Sequence, residues 1–422
     1  MIAVDLLKKV IVSQKESLLG REFGIERTAL MELGKKAKTG FIIAVTGARR
    51  CGKSTLLNQF ISRNLGGNYC YFNFDDDRIL GFKAGDFERL IQAFNELYGD
   101  KDHFLFDEIQ NVKGWELFVN RLQRENKRII ITGSNAKLLS GELATHLTGR
   151  HLDIELMPFS FTEFLKAKQF KVKKDAHFLT KEIAKLRNYF NEYLLGGGFP
   201  EAVKNKDYEI LKNLYDDIIF KDIRTPKGRE HSVKEIAQFM VSNISNQVSL
   251  RKIQKHFGYG SPNTVKRIIE DLSNAFLLFT IRKFSYSYKE QLINPQKVYC
   301  IDTGLASAVS IKFSEDLGQK LENLVFLELK RRKKHIYYYK NNKETDFIVV
   351  EGNKPKEAIQ VCYNLTGENK GREELGLLEA LKELKIKKGL ILTLEHEEII
   401  KTKNKTLEYI PVWKWLLKNS GN

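Results

Sequence analysis

Gly47-Ala48-Arg49-Arg50-Cys51-Gly52-Lys53-Ser54 lies between an apolar run, residues 41–46, and an amphipathic segment that opens on Thr55. The spacing is that of a phosphate-binding loop, G-x-x-x-x-G-K-[ST], and the flanks are those the loop needs. A buried strand delivers the chain, and two glycines let the backbone turn its N–H groups toward phosphate oxygens. The helix that follows faces the anion with its positive end. Gly47, Ala48, Arg49, Arg50, Cys51, Gly52, Lys53, Ser54 and Thr55 are therefore expected to line a nucleoside triphosphate. Lys53 would act as a mobile point charge on the β- and γ-phosphates, and the Ser54 hydroxyl would ligate a magnesium ion bridging them. The expected cofactors are ATP and Mg2+, although no short motif here reads the base.

Downstream, Asn68-Tyr69-Cys70-Tyr71-Phe72-Asn73-Phe74 reads as a second strand and residues 86–98 as a helix. The apolar run Phe104-Leu105-Phe106 then ends in adjacent carboxylates, Asp107 and Glu108. In a parallel sheet the carboxyl ends of strands line the ligand crevice. Asp107 is thus expected to reach magnesium through its water shell, and Glu108 to act as general base on the attacking water. A solvent-exposed turn could carry the same two residues; a phosphate loop about 50 residues upstream is what favours the site. The next strand, Arg128-Ile129-Ile130-Ile131-Thr132-Gly133, delivers Ser134 and Asn135 to the same edge, as γ-phosphate sensors or as an ordinary strand-to-helix turn. Arg150, ahead of a fifth strand at 151–156, is the candidate for stabilising transition-state charge in its own chain or in a neighbour's within a homo-oligomer. The competing reading of Arg150 is a surface ion pair.

These segments together resemble the prokaryotic AAA-type ATPases that carry a C-terminal domain of unknown function. The resemblance rests on the phosphate loop, Phe106-Asp107-Glu108-Ile109-Gln110, Thr132-Gly133-Ser134, Leu147-Thr148-Gly149-Arg150 and Pro158-Phe159-Ser160-Phe161-Thr162-Glu163-Phe164. It implies an additional-strand, catalytic-glutamate P-loop domain in which one strand intervenes between the loop strand and the catalytic strand. It also implies a following helical region, where Tyr193-Leu194-Leu195-Gly196-Gly197-Gly198-Phe199-Pro200-Glu201 matches a family motif. Three glycines before Phe-Pro suggest a close backbone approach, a hinge or simple turn chemistry.

Residues 249–272 read as helix, glycine-containing turn, helix. Ile253, Phe257, Val265, Ile268, Ile269 and Leu272 fall at core spacing, and strands near 276–283 and 297–301 would supply a wing. A winged helix of this kind would offer Asn263, Thr264, Lys266 and Arg267 to double-stranded DNA, or would serve for protein contacts or as a hinge. The run 330–334, Lys-Arg-Arg-Lys-Lys, reads as an added phosphate patch or as a solvated helix end. From residue 317 onward, helix and strands alternate in an order that resembles the PD-(D/E)xK nuclease core. Glu322 would match its helical acid and Asp346 its first carboxylate. The third element should read Glu/Asp-x-Lys and instead reads Gln360-Val361-Cys362. Phosphodiester hydrolysis needs carboxylates that hold a cation, so a degenerate module kept for binding or assembly is the expectation.

Composition sets the outer bounds. At 422 residues, with 42% hydrophobic residues and only 7 prolines, the chain can bury two or three cores. Its 70 basic against 53 acidic residues leave +17, which suits a polyanionic partner or a lysine-rich proteome. Four cysteines without paired spacing fit a reducing cytoplasm, and no run of about 18 apolar residues suggests a membrane span. The eight histidines show no metal-ligand spacing. The expected architecture is α/β: an AAA-type P-loop domain at 1–165, a helical connector at 166–235, a winged helix at 236–305 and a nuclease-like α/β domain at 306–422. The expected function is magnesium-dependent ATP hydrolysis coupled to a DNA-binding C-terminal module. The alternatives are a nucleotide-gated scaffold or signalling switch with a protein partner and, third, an ATP-dependent metal nuclease.

Overall fold

The computed structural model describes residues 1–136, 151–172, 180–223, 230–311, 316–401 and 404–418. They divide into two compact units, residues 1–157 with 274–276, and residues 158–273 with 277–422.

In the first unit, helices α1 (Val4–Leu19) and α2 (Ala29–Lys36) precede β1 (Ile42–Thr46) and α3 (Lys53–Asn64). Then come β2 (Tyr69–Asn73), α4 (Phe87–Tyr98), β3 (His103–Asp107), α5 (Trp115–Arg124), β4 (Arg128–Gly133) and β5 (His151–Glu155). The strands form one sheet in the order β2-β3-β4-β1-β5, parallel throughout. All five residues of β1 are buried, as a strand covered on both faces by crossover helices must be. Because β4 lies between β1 and β3, the ends of all three strands point into one crevice. This is the intervening-strand order that the family resemblance implies.

The core on the β2–β3 side is aromatic: Phe72, Phe74, Phe87, Phe94, Phe104, Phe106 and Phe118 are all buried. Phe87 and Phe118 stack with ring centroids 4.0 Å apart. Helix α1 lays Leu7, Val10 and Ile11 into this core at helical spacing. Its Gln14 side chain exchanges hydrogen bonds with the Asn73 backbone at 2.9 Å in each direction, which fastens the helix to the end of β2.

The second unit begins with helices α6 (Phe161–Ala167), α7 (Thr180–Gly196), α8 (Pro200–Asn205) and α9 (Glu209–Asp217). There follow α10 (Glu230–Ser242), β6 (Gln247–Val248), α11 (Leu250–His256), α12 (Pro262–Asn274), β7 (Leu278–Ile281), α13 (Tyr288–Ile293) and β8 (Gln296–Cys300). β6, β8 and β7 form a small antiparallel sheet in that order. Helices α14 (Thr303–Val309) and α15 (Leu317–Arg331) lead into β9 (His335–Lys340), β10 (Glu344–Glu351) and β11 (Lys354–Cys362). The chain continues through α16 (Gly367–Glu383), β12 (Lys388–Thr393), β13 (Glu398–Lys401), β14 (Thr406–Pro411) and α17 (Val412–Leu417). Its six strands make a mixed sheet ordered β13-β14-β12-β11-β10-β9.

The glycine triplet is a close backbone approach. A Cβ on Gly198 would stand 2.4 Å from the Phe159 carbonyl oxygen, and one on Gly197 would strike the Asp302 carboxylate. Asp302 instead accepts from the Gly198 N–H at 2.6 Å and caps α14 through the Leu305 N–H at 2.9 Å.

Candidate functional site

β1 ends at Thr46, and the loop turns sharply: Gly47 has φ +154 and Gly52 φ +100. A Cβ on Gly47 would lie 2.1 Å from the backbone oxygen of Leu156, so only glycine fits where the loop crosses the end of β5. Arg50, at φ 57, holds a left-handed conformation at the loop's outer bend. Lys53 opens α3 and is only 5% exposed. Its ammonium donates to the carbonyls of Gly47 at 3.1 Å and Ala48 at 3.2 Å, and pairs with Glu108 at 3.3 Å.

The carboxylates at the end of β3 meet this lysine and the next residue. Ser54 Oγ donates to Asp107 Oδ2 at 2.7 Å, and the Tyr71 hydroxyl donates to the same oxygen at 3.1 Å. Thr132, on the neighbouring strand β4, donates to Asp107 Oδ1 and accepts from the Glu108 N–H at 3.0 Å. Glu108 sits in the left-handed region at φ 52, which turns its side chain back over the loop. There its Oε2 accepts from Gln110 at 2.5 Å and from the Ser134 N–H at 3.2 Å.

Charge follows geometry. Burial opposes the Lys53 charge, but Glu108, then Cys51 and Asp107, outweigh it and hold the ammonium above its ordinary pKa. Burial likewise opposes the Glu108 carboxylate, yet Lys53 keeps its pKa below the usual value. Asp107 goes the other way, raised first by burial and then by Glu108 beside it. A second cation on this edge would relieve that repulsion.

The fold thus brings together Lys53, Ser54, Asp107, Glu108 and Ser134, which lie far apart in sequence. Asn135 is half-buried beyond Ser134. Arg150 lies outside the described residues. Four further residues were given no role of their own by the sequence. Thr132 and Gln110 were legible as polar members of the quoted motifs, and Tyr71 by its strand. Arg27 carried no local signal: it is buried and donates to the Cys51 carbonyl and the Met157 carbonyl, 2.6 Å each, the latter 130 residues away.

The residues present fit a magnesium nucleotide. Loop amides, an ammonium, a hydroxyl and a carboxylate converge on one side of the sheet, and the buried Thr46 Oγ1 has no hydrogen-bond partner among the described residues.

On α12, Val265, Ile268, Ile269 and Leu272 face inward. Asn263, Lys266 and Arg267 are exposed and Thr264 is half-buried. Lys266 lies 3.7 Å from Glu270, one turn on. The basic run at 330–334 is partly committed to structure. Arg331 donates to the carbonyls of Pro158 and Phe159, and Arg332 donates to the Trp415 carbonyl at 2.9 Å while lying over its ring. Glu322 and Asp346 do come together, around the ammonium of Lys297 at 2.9 Å from each. Among the described residues no group of three or more His, Cys, Asp or Glu side chains is placed to hold a metal ion. Nor, among the described residues, is any helix long and apolar enough to cross a membrane.

Residues 39–165 match the family model described as an AAA domain. Residues 187–316 match a domain of unknown function, DUF8612, and 317–415 a second, DUF4143. The chain is 35% identical to the uncharacterized protein MJ1544 of Methanocaldococcus jannaschii over 95% of its own length and 97% of the relative's. It is 34% identical to an uncharacterized protein of Haemophilus influenzae, over 79% and 84% of the two chains. A solved structure, the Walker-type ATPase paby2304 of Pyrococcus abyssi, aligns with 69% of this chain and 99% of its own at 15% identity, with a TM-score of 0.44.

Proposed function

We propose, from the premise that the chain belongs to the family of MJ1544 and has an AAA-type P-loop domain, that it hydrolyses ATP with magnesium and uses the nucleotide state to reposition a DNA-binding C-terminal module. The observation that carries the hydrolytic half is the buried cluster in which Ser54 meets Asp107 and Lys53 meets Glu108. In this reading the loop amides and Lys53 bind the phosphates, Ser54 and Asp107 hold the cation, and Glu108 takes the proton of the attacking water. Magnesium, when bound, neutralises charge on the β- and γ-phosphates. Lys53 exchanges its carbonyl and Glu108 partners for phosphate oxygens, which frees Glu108 to act as base. Thr132 and Gln110 orient the two carboxylates, Ser134 senses the γ-phosphate, and Arg150 completes the charge shell.

The DNA half rests on α10, β6, α11, α12, β7 and β8, whose sequence of elements and β6-β8-β7 sheet support a winged-helix reading. Asn263, Thr264, Lys266 and Arg267 on α12 would then meet the major groove. The scaffold reading, with a protein partner, is favoured by a different observation: the segment between β7 and β8 exposes Tyr286 (77%), Tyr288 (65%) and Ile293 (72%). Exposed apolar side chains of this size are what protein interfaces use.

Steady-state ATP hydrolysis with and without duplex DNA, at two salt concentrations, separates the two. The DNA reading expects stimulation that fades as salt rises, because phosphate neutralisation releases counterions. It also expects the Lys266→Ala/Arg267→Ala chain to bind DNA about tenfold or more weakly while retaining basal hydrolysis. Hydrolysis indifferent to DNA at both salts would instead send the search to a protein partner.

A further inference from the structure

The nuclease-like sheet holds a buried cluster that neither hydrolysis nor DNA binding uses. Lys297, on β8, is 2% exposed. Its ammonium lies 2.9 Å from Glu322 Oε1 on α15, 2.8 Å from Glu344 Oε1 and 2.9 Å from Asp346 Oδ1, the last two on β10. We propose that these three carboxylates form an ammonium site whose ligand is the chain's own Lys297, which excludes divalent metal and docks the three-stranded sheet on the six-stranded one.

An ammonium has three donors, and here each finds one carboxylate at hydrogen-bonding distance. Magnesium would need oxygens at about 2.0–2.1 Å, closer than the 2.8–2.9 Å at which these carboxylates surround the ammonium. The second oxygens of Glu344 and Asp346 are occupied. Glu344 Oε2 accepts from Gln247 at 2.7 Å and faces Lys340 at 3.4 Å, and Asp346 Oδ2 accepts from the Val361 N–H at 2.9 Å. Glu322 Oε1 also accepts from the Tyr299 hydroxyl at 2.7 Å. Gln360, standing where the nuclease pattern has a further carboxylate, accepts from the Asp346 N–H and donates to Glu373 at 2.7 Å, so its amide is engaged and uncharged. Cys362, in the place of the pattern's lysine, has its thiol pushed up to about 11 by burial and supplies no cation.

Burial, then the neighbouring Asp346, raises Glu322 from its ordinary 4.5 to about 8, so a proton shares the neutralisation with Lys297. A carboxyl raised on folding stabilises the native state below pH 4.5, and that contribution is lost as pH rises through about 8. The melting temperature is therefore expected to fall from pH 5 to pH 8.5 more steeply in the unaltered chain than in Glu322→Gln. Equal slopes would mean that Glu322 does not titrate there.

Thermal unfolding of the full-length Lys297→Ala chain tests the ammonium site. The variant should melt roughly 10 °C lower, since the cluster of Glu322, Glu344 and Asp346 loses its counter-ion. n-Propylammonium, which replaces the deleted atoms, should restore part of the loss; tetramethylammonium, equally charged but without N–H donors, should restore none. Equal rescue by both ions, rescue by neither, or rescue by Mn2+ in their place would overturn the proposal. A second arm needs no lysine variant. Mn2+ titrations followed by electron paramagnetic resonance, without nucleotide, should find the same number of bound ions in the unaltered chain and in Asp346→Asn. One ion fewer in Asp346→Asn would mean that the cradle takes metal after all.

Discussion

The Glu108→Gln chain is expected to hydrolyse ATP about 10²–10⁴-fold more slowly than the unaltered chain while binding ATP within a few-fold of the same affinity. The amide keeps the length of the side chain and can still accept from Gln110 and the Ser134 N–H, so the geometry of the cluster survives. What it lacks is the ability to take a proton from water. At 1.36 kcal/mol per tenfold, the loss amounts to about 3–5 kcal/mol of transition-state stabilisation. Binding is spared for an electrostatic reason. Glu108 is the strongest of the charges that hold up the Lys53 ammonium, and it competes with phosphate for that lysine. Removing its charge leaves Lys53 free for the nucleotide. Single-turnover hydrolysis and equilibrium binding of a fluorescent ATP analogue measure the two quantities separately. An unchanged kcat would remove Glu108 from the role of base, and a large loss of affinity with kcat intact would make it a binding residue.

Gly47→Ala is expected to destabilise the first unit by roughly 2–5 kcal/mol and to abolish nucleotide binding. Two effects add. The new methyl group would stand 2.1 Å from the Leu156 carbonyl oxygen, a backbone atom that can yield only if β5 shifts, and φ +154 is costly for any residue with a Cβ. The loop would have to move away from β5, carrying with it the amides that face phosphate. Gly66 is the internal control. It too has positive φ, +51, but among the described residues nothing apart from its chain neighbours lies within 4 Å of an added Cβ, so Gly66→Ala should cost only the left-handed strain of about 1–2 kcal/mol. Urea midpoints of the three chains check the order. Equal destabilisation at both glycines would show that the approach of Leu156 does not matter.

Much of the first unit is readable from the chain because its signals are local. A strand, a turn of glycines, a lysine and a helix within about twenty residues suffice to declare a phosphate loop, since backbone conformation and anion chemistry are set by neighbours in sequence. The apolar run ending at Asp107-Glu108 is equally local once a parallel sheet is assumed, because strand ends then face one crevice. In the second unit α11, α15 and strands β7 to β11 were also legible from periodicity, as was α12 with its inward Val265, Ile268, Ile269 and Leu272.

Contacts between distant segments were not legible. Nothing around Arg27 hints that its guanidinium joins the phosphate loop to Met157 at the end of the first unit; that pairing exists only because α2, β1 and β5 are brought side by side. Thr132 could be seen as a polar residue on an apolar strand, but its role as the link between Asp107 and Glu108 requires β4 to lie beside β3. Lys297 is the clearest case. In sequence it is one lysine among many in a basic chain, 25 residues from Glu322 and 49 from Asp346. Gln360-Val361-Cys362 offers Asp346 no cation, whereas the fold supplies the Lys297 ammonium from another sheet. Sequence by itself determined the phosphate loop and the acidic strand end, because each depends on residues a few positions apart. Tertiary structure alone decided which buried charges meet, since desolvation makes an unpaired charge costly and only the assembled fold brings its partner within reach.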